Sequence, residues 1–151
     1  MWKSSFRGEL FFLSNFYPSR FIVDGIFFET VEHYFQSQKT IIPFQKERIR
    51  KATSPVYAKK YGRECTLRAG WDRIKDDIMF KGVFAKFSQD PELMMKLLET
   101  DDELLVERND WNDRYWGVNS HNGVGLNKLG EILKDVKKIF IKINKNKELR
   151  Y

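Results

Sequence analysis

Thr-Val-Glu-His-Tyr-Phe-Gln-Ser-Gln-Lys, residues 30–39, sets the reading of this 151-residue chain. Thr30 carries the hydroxyl that a helix N-cap needs. Beyond it Glu32, Gln36 and Lys39 recur at i, i+4 and i+7, the repeat of one helical face. Val31, Tyr34 and Phe35 supply apolar positions beside that stripe. A carboxylate is thereby placed in the first turn of a helix, with an amide and an amine stacked above it. Two readings fit the stripe: a solvated face, the usual fate of the polar side of an amphipathic helix, or the lining of a pocket.

Upstream, Phe21-Ile-Val and Ile26-Phe-Phe flank Asp24-Gly25, a pair that tolerates the positive φ of a tight two-residue turn, so a short hairpin is expected there. Before it, Phe12-Leu-Ser-Asn-Phe-Tyr-Pro18 ends at a proline and reads as a loop that presents Asn15 between aromatic anchors. Downstream, helical signals dominate. Pro43 opens a segment through Ala52, and Ser54-Pro55 caps and starts one that Gly62 stops. Trp71, Ile74, Ile78 and Ala85 keep helical spacing to about Ser88, and Asp90-Pro91 restarts a helix bearing Leu93, Met94, Leu97 and Leu98 as core. Leu104-Leu-Val106 fits either a short strand or a buried connector. A last helix runs from about Leu126 into a basic tail beginning near residue 143. The fold class expected is mainly α, one compact domain over residues 1–151 with a small β hairpin near the N-terminus.

A chain of this length buries about two-thirds of the surface its unfolded form exposes, enough for a single core. Its 13 Phe, 6 Tyr and 4 Trp are many for a small chain; most of the Phe read as core, a reading that is weaker for Trp71, Trp111 and Trp116, which fall among charged residues where a ring can instead line a ligand site. Cys65 is the single cysteine, so no intrachain disulfide and no cysteine-based metal site is available, and a reducing, cytoplasmic setting is expected. There is neither a secretory leader pattern nor an apolar run of membrane-spanning length. The net charge of +6 is concentrated: residues 134–151 carry seven Lys or Arg against Asp135 and Glu148, leaving the body nearly neutral. That tail reads as a solvated helix end or as a source of phosphate contacts to a polyanion.

Two further segments carry chemistry. Asn112-Asp-Arg-Tyr-Trp-Gly117 brings a carboxylate and two rings to a loop, where they either recognise a ligand or build a local turn. His121-Asn-Gly-Val-Gly-Leu-Asn-Lys-Leu-Gly130 places glycines just ahead of a helix whose free N–H groups would seat a phosphate, with Lys128 adding charge. With His33 and His121 the only histidines, no spacing suggests a metal site or a nucleophilic triad.

Phe-Leu-Ser-Asn-Phe-Tyr-Pro at 12–18, Thr-Val-Glu-His-Tyr-Phe-Gln-Ser-Gln-Lys at 30–39, Gly-Trp-Asp at 70–72, Asp-Arg-Tyr-Trp-Gly at 113–117 and Gly-Leu-Asn-Lys-Leu-Gly at 125–130 together resemble the NADAR, or YbiA-like, family. The likeness spans nearly the whole chain, in order. It implies a YbiA-like helical fold and N-glycosidase chemistry on ribosylated compounds. In one branch these are ribosylamino-pyrimidine 5′-phosphate intermediates of riboflavin synthesis; others are associated with NAD or ADP-ribose, including ADP-ribose removal from guanine in DNA. A module that binds ADP-ribose or NAD without cutting it fits the same motifs. The resemblance implies Glu32 and Asp113 as catalytic carboxylates, and Asn15, Gln36, Trp71, Trp116, Gly117, Gly125 and Asn127 as substrate-binding positions. Arg63, Arg68 and Lys128 are the cations placed to meet a phosphate. No metal or organic cofactor is implied. The partner is a small ribosyl phosphate, with ADP-ribosylated nucleic acid as a further candidate and no membrane. The last helix reads Ile-Leu-Lys-Asp-Val-Lys where the family often has Leu-Met and an Arg, which leaves that helix body without an implied role. Placed in a first helical turn, Glu32 is drawn toward the ionised form by the helix dipole and toward the protonated form by any burial.

Overall fold

The computed structural model describes residues 4–149. The chain is mainly helical with one antiparallel hairpin near its start, and its contacts divide it into two units. One unit is Asn15–Gln89; the other comprises the described residues of 1–14 and 90–151.

The first unit opens with β1 (Phe21–Val23) and β2 (Ile26–Phe28), paired Phe21 to Phe28 and Val23 to Ile26. Asp24 and Gly25 turn between them with φ of 52° and 79°, the positive values that the Asp-Gly pair signals. Then come α1 (Val31–Ser37), α2 (Pro43–Arg50), α3 (Pro55–Glu64) and α4 (Trp71–Ser88). Every residue of α1 is buried, because α2, α3, α4 and β2 all pack on it. Tyr34 is 1% exposed, edge-on to Phe21 and Phe28 at centroid separations of 6.0 and 5.2 Å, which locks the hairpin onto the helix.

Caps match the sequence signals. The Thr30 hydroxyl accepts from the His33 N–H, and Ser54 from the Tyr57 N–H. Gly62 is a correction: α3 runs through it to Glu64 instead of stopping, for a reason that lies in the site.

In the second unit a 3₁₀ turn spans Gly8–Leu13, so Phe12 and Leu13 are helical and buried instead of looped. Asp90 caps α5 (Pro91–Glu99) through the Glu92 and Leu93 N–H groups. A second 3₁₀ turn, Asp102–Leu104, leads to the fully buried connector residue Leu105. Two-residue strands β3 (Arg108–Asn109) and β4 (Val118–Asn119) pair in parallel and frame the 110–117 loop. Finally α6 (Lys128–Glu148) buries Leu129, Ile132, Leu133, Val136 and Phe140 at helical spacing. It begins two residues later than expected and absorbs most of the basic tail, whose last two residues lie outside those described. Among the described residues no helix is long and apolar enough to cross a membrane.

Candidate active site

The polar stripe of α1 is not solvated. Glu32 is 6% exposed and Gln36 4%, and Gln36 Nε2 donates to Glu32 Oε1 at 2.8 Å across one helical turn. Burial holds the Glu32 carboxyl above the usual carboxylate range, although the Gln36 hydrogen bond and the charges of Lys59, Lys39 and His33 all pull it down. Burial therefore outweighs the hydrogen bond and the neighbouring charges. The Glu32 N–H donates to the Asn15 carbonyl at 3.0 Å, pinning the 14–18 loop to the first turn of α1. Asn15 Nδ2 lies 3.5 Å from Met79 Sδ on α4.

Gly62 explains why α3 sits so close. A Cβ there would collide with Gln36 Oε1, so only glycine lets α3 pass over the amide. Gln36 Oε1 is buried and has no hydrogen-bond partner among the described residues, which commits the other end of the amide to Glu32.

Aromatic packing adjoins this pair along α1 at Phe35. Trp71, the first residue of α4, is 7% exposed and packs on Phe35 at 5.2 Å and 51°. Cations are close as well: Lys59 and Lys39 both act on the Glu32 carboxyl. Lys39 Nζ lies 5.8 Å from the Phe35 ring, and Arg68 donates its N–H to the Lys39 carbonyl at 2.7 Å and its Nη1 to the Gln38 carbonyl at 3.4 Å. His33 is structural. Its Nε2 donates to the Ala52 carbonyl at 3.0 Å, and its Nδ1 shares a 2.8 Å hydrogen bond with the Thr30 hydroxyl.

The remaining expected residues belong to the second unit. Asp113 Oδ1 accepts from the Tyr115 and Trp116 N–H groups at 3.1 and 3.0 Å, while the Asn109 side chain clasps the Asp113 N–H and carbonyl. The turn is thus a self-bonded loop that sets Trp116 edge-on to Tyr115 at 4.8 Å. One Asp113 oxygen, Oδ2, is left for other work. Gly117 is buried where a Cβ would strike the Glu107 carbonyl, and a Cβ at Gly125 would strike the Gly117 carbonyl, so both glycines permit close passage of backbone.

The phosphate seat expected at the start of α6 does not fit the hydrogen bonding there. The N–H groups of Leu126, Asn127, Lys128 and Leu129 donate to the carbonyls of Arg114, Gly117, Tyr115 and Trp116. Asn127, at φ 50°, accepts from the Glu107 N–H and donates to the Leu105 carbonyl. These groups fasten the 105–117 segment to the helix and are not turned toward an anion. Lys128 Nζ lies 5.9 Å from the Tyr115 ring.

Sequence reasoning did not single out Lys59, one of the charges that pull the Glu32 carboxyl down. Its one available signal was its spacing from Gly62, three residues along α3, which matters only once that glycine is known to touch α1.

The NADAR domain matches this chain over residues 2–141. N-glycosidase YbiA of Escherichia coli strain K12 is 41% identical over 126 residues, covering 82% of this chain and 78% of that protein. An N-glycosidase of Nostoc punctiforme is 40% identical over 133 residues, 82% of this chain and 81% of its own length. A riboflavin biosynthesis protein of Vibrio vulnificus is 36% identical over 124 residues, covering 81% of this chain but 33% of that longer protein. The NMR structure of E. coli YbiA superposes with a TM-score of 0.76 at 36% identity, over 88% of this chain and 79% of that one. A buried glutamate on α1 beside Gln36, a matching domain over almost all of the chain and a shared fold lead to one assignment: this chain belongs to the NADAR domain family.

Proposed function

We propose that the chain is an N-glycosidase that hydrolyses the C–N bond of ribosylamino-pyrimidine 5′-phosphates, with Glu32 as the proton-transferring carboxylate. The observation that carries the reading is the burial of Glu32 against the Gln36 amide, with a pKa raised toward neutrality's side of the carboxylate range. A general acid–base group works best when its pKa approaches the operating pH, and a surface glutamate would not meet that condition. Names carried by the relatives support the same chemistry, since those from E. coli and Nostoc are N-glycosidases and the Vibrio one is a riboflavin biosynthesis protein.

The reaction balances without a cofactor. As the glycosidic bond lengthens, its electron pair withdraws to nitrogen and positive charge grows on the ribose ring. The ionised Glu32 stabilises that charge and removes a proton from the attacking water as oxygen bonds to C1′. Glu32 then passes that proton to the leaving nitrogen, and the products are ribose 5-phosphate and the free amino-pyrimidine. Gln36 holds the carboxylate in one orientation through its 2.8 Å bond. Trp71, packed on Phe35, supplies an apolar wall.

The alternative reading, removal of ADP-ribose from guanine in DNA, draws on the lysines of α6 and the tail, and a binding module without cleavage needs the same pocket. One assay separates them: purified protein offered the riboflavin-pathway glycosylamine and ADP-ribosylated DNA side by side, with products read by mass spectrometry. Release of ribose 5-phosphate is the expected result. Release only of ADP-ribose, or no release with tight binding, rejects it.

A further inference from the structure

We propose that Lys138, Lys142 and Lys145 of α6 form a track for the phosphate backbone of a single-stranded nucleic acid. The three stand at i, i+4 and i+7, so they share one face of the helix, with rises of about 6 and about 4.5 Å between them. All three are exposed. A stacked strand carries one phosphate for about every 3.4 Å, so ammonium groups at these intervals, on flexible stems, meet phosphates along one strand.

Charge is sorted along α6. In its first half Lys134 bonds Glu131 at 3.3 Å, and Lys137 donates to the Thr100 carbonyl and to Asp102 at 2.6 and 2.9 Å. Between Asp135 and Glu148 the helix then holds five lysines and no acid. Lys137 is the one of these with a bonded side chain; Lys138, Lys142, Lys145 and Lys147 have no side-chain partner among the described residues. The helix dipole accounts for Lys145 and Lys147, because cations in a last turn offset its unpaired carbonyls. It does not account for Lys138 and Lys142, which lie further in than that field reaches. A cleft of about 450 Å³ opens beside them, lined by Lys138, Lys142, Ile139, Ile141 and Asp135. The two isoleucines give it an apolar floor suited to sugar and base surface, and Asp135 closes it on the N-terminal side, so phosphates are met from Lys138 onward.

An anionic bilayer fits this helix end less well. Its exposed isoleucines, Ile141 and Ile143, stand about 200° apart around the axis and so do not share a face, whereas a helix that lies in a membrane surface needs one continuous apolar side.

The inference stands apart from the hydrolase reading and is tested without turnover. The full chain is titrated into a fluorescein-labelled single-stranded oligothymidine, with anisotropy followed as NaCl rises from about 50 to about 200 mM. Each phosphate contact contributes about −0.7 to the slope of log K against log salt on a single strand. The triple variant Lys138→Gln, Lys142→Gln, Lys145→Gln should therefore flatten the slope by about 2 and bind about tenfold or more weaker at the lowest salt, and each single variant should flatten it by about 0.7. Circular dichroism checks that α6 persists in all of them. A control in which the exposed Lys51, Lys60 and Lys81 become glutamines has the same net charge as the triple variant and should keep the parental slope. No binding at the lowest salt, an equal loss in the control, or preference for phosphatidylserine vesicles over the oligonucleotide overturns the track.

Discussion

Glu32→Gln tests the candidate acid in two currencies at once. The new amide has nearly the same shape, and its oxygen still accepts from Gln36 Nε2, so no cavity opens in α1. Turnover should fall by two to four orders of magnitude, the scale for losing a general base, equivalent to about 3–5 kcal/mol on the barrier. Stability should move the other way. A carboxyl whose folded pKa lies above its ordinary value of 4.5 contributes stability that is complete at low pH and is lost as pH rises through the folded pKa. At neutral pH the wild type therefore carries a cost that glutamine does not. Each unit of upward shift is worth about 1.4 kcal/mol, or about 3–6 °C in a domain of this size. Thermal melts of both proteins from pH 4 to 8 should show the variant's advantage growing with pH and then levelling, while glycosylamine hydrolysis drops. A parental rate would remove Glu32 from the chemistry. A melting point that falls, by an amount growing with pH, would show that Lys39 and Lys59 make the charge net stabilising and would refute the account of the raised pKa.

Other substitutions probe the scaffold and the buried charges. Asn127→Ala strands the Glu107 N–H and the Leu105 carbonyl and should cost about 2–4 kcal/mol in urea unfolding, marking a structural residue in the motif that ends the chain's loops. Thr30→Val removes both the cap of α1 and the hydroxyl that satisfies His33 Nδ1, and should cost about 1–2 kcal/mol by the same measurement. Lys86, 2% exposed between the Tyr17 and Phe87 rings, has its pKa lowered by burial to about 7. A cation with a depressed folded pKa makes stability fall as pH drops from about 10.5 to about 7, so the melting-point difference between Lys86→Met and wild type should grow over that interval; a flat difference refutes it.

What the sequence made legible was local, and what it hid was set by packing. Asp24-Gly25, Thr30, Ser54-Pro55 and Asp90-Pro91 act within four residues of themselves, so the turn and the caps could be read directly and the structure repeats them. Gly62 misled because its local meaning, a helix stop, is overridden by a contact with Gln36, 26 positions away. The N–H groups ahead of α6 looked free because their partners, the carbonyls of 114–117, are not marked by any residue type. Glu32 shows the distinction within one side chain. Its place in a first turn was evident and argues for ionisation, yet four packed elements reverse the outcome by desolvating it. Lys59 carries the point furthest: nothing near it in the chain separates it from the other lysines, yet its charge acts on Glu32 because a glycine three residues on lets two helices touch. Replacing that glycine by alanine should therefore push the Gln36 amide off Glu32 and shift the pH profile of kcat, and an unchanged profile would refute the role given to the close passage of α3.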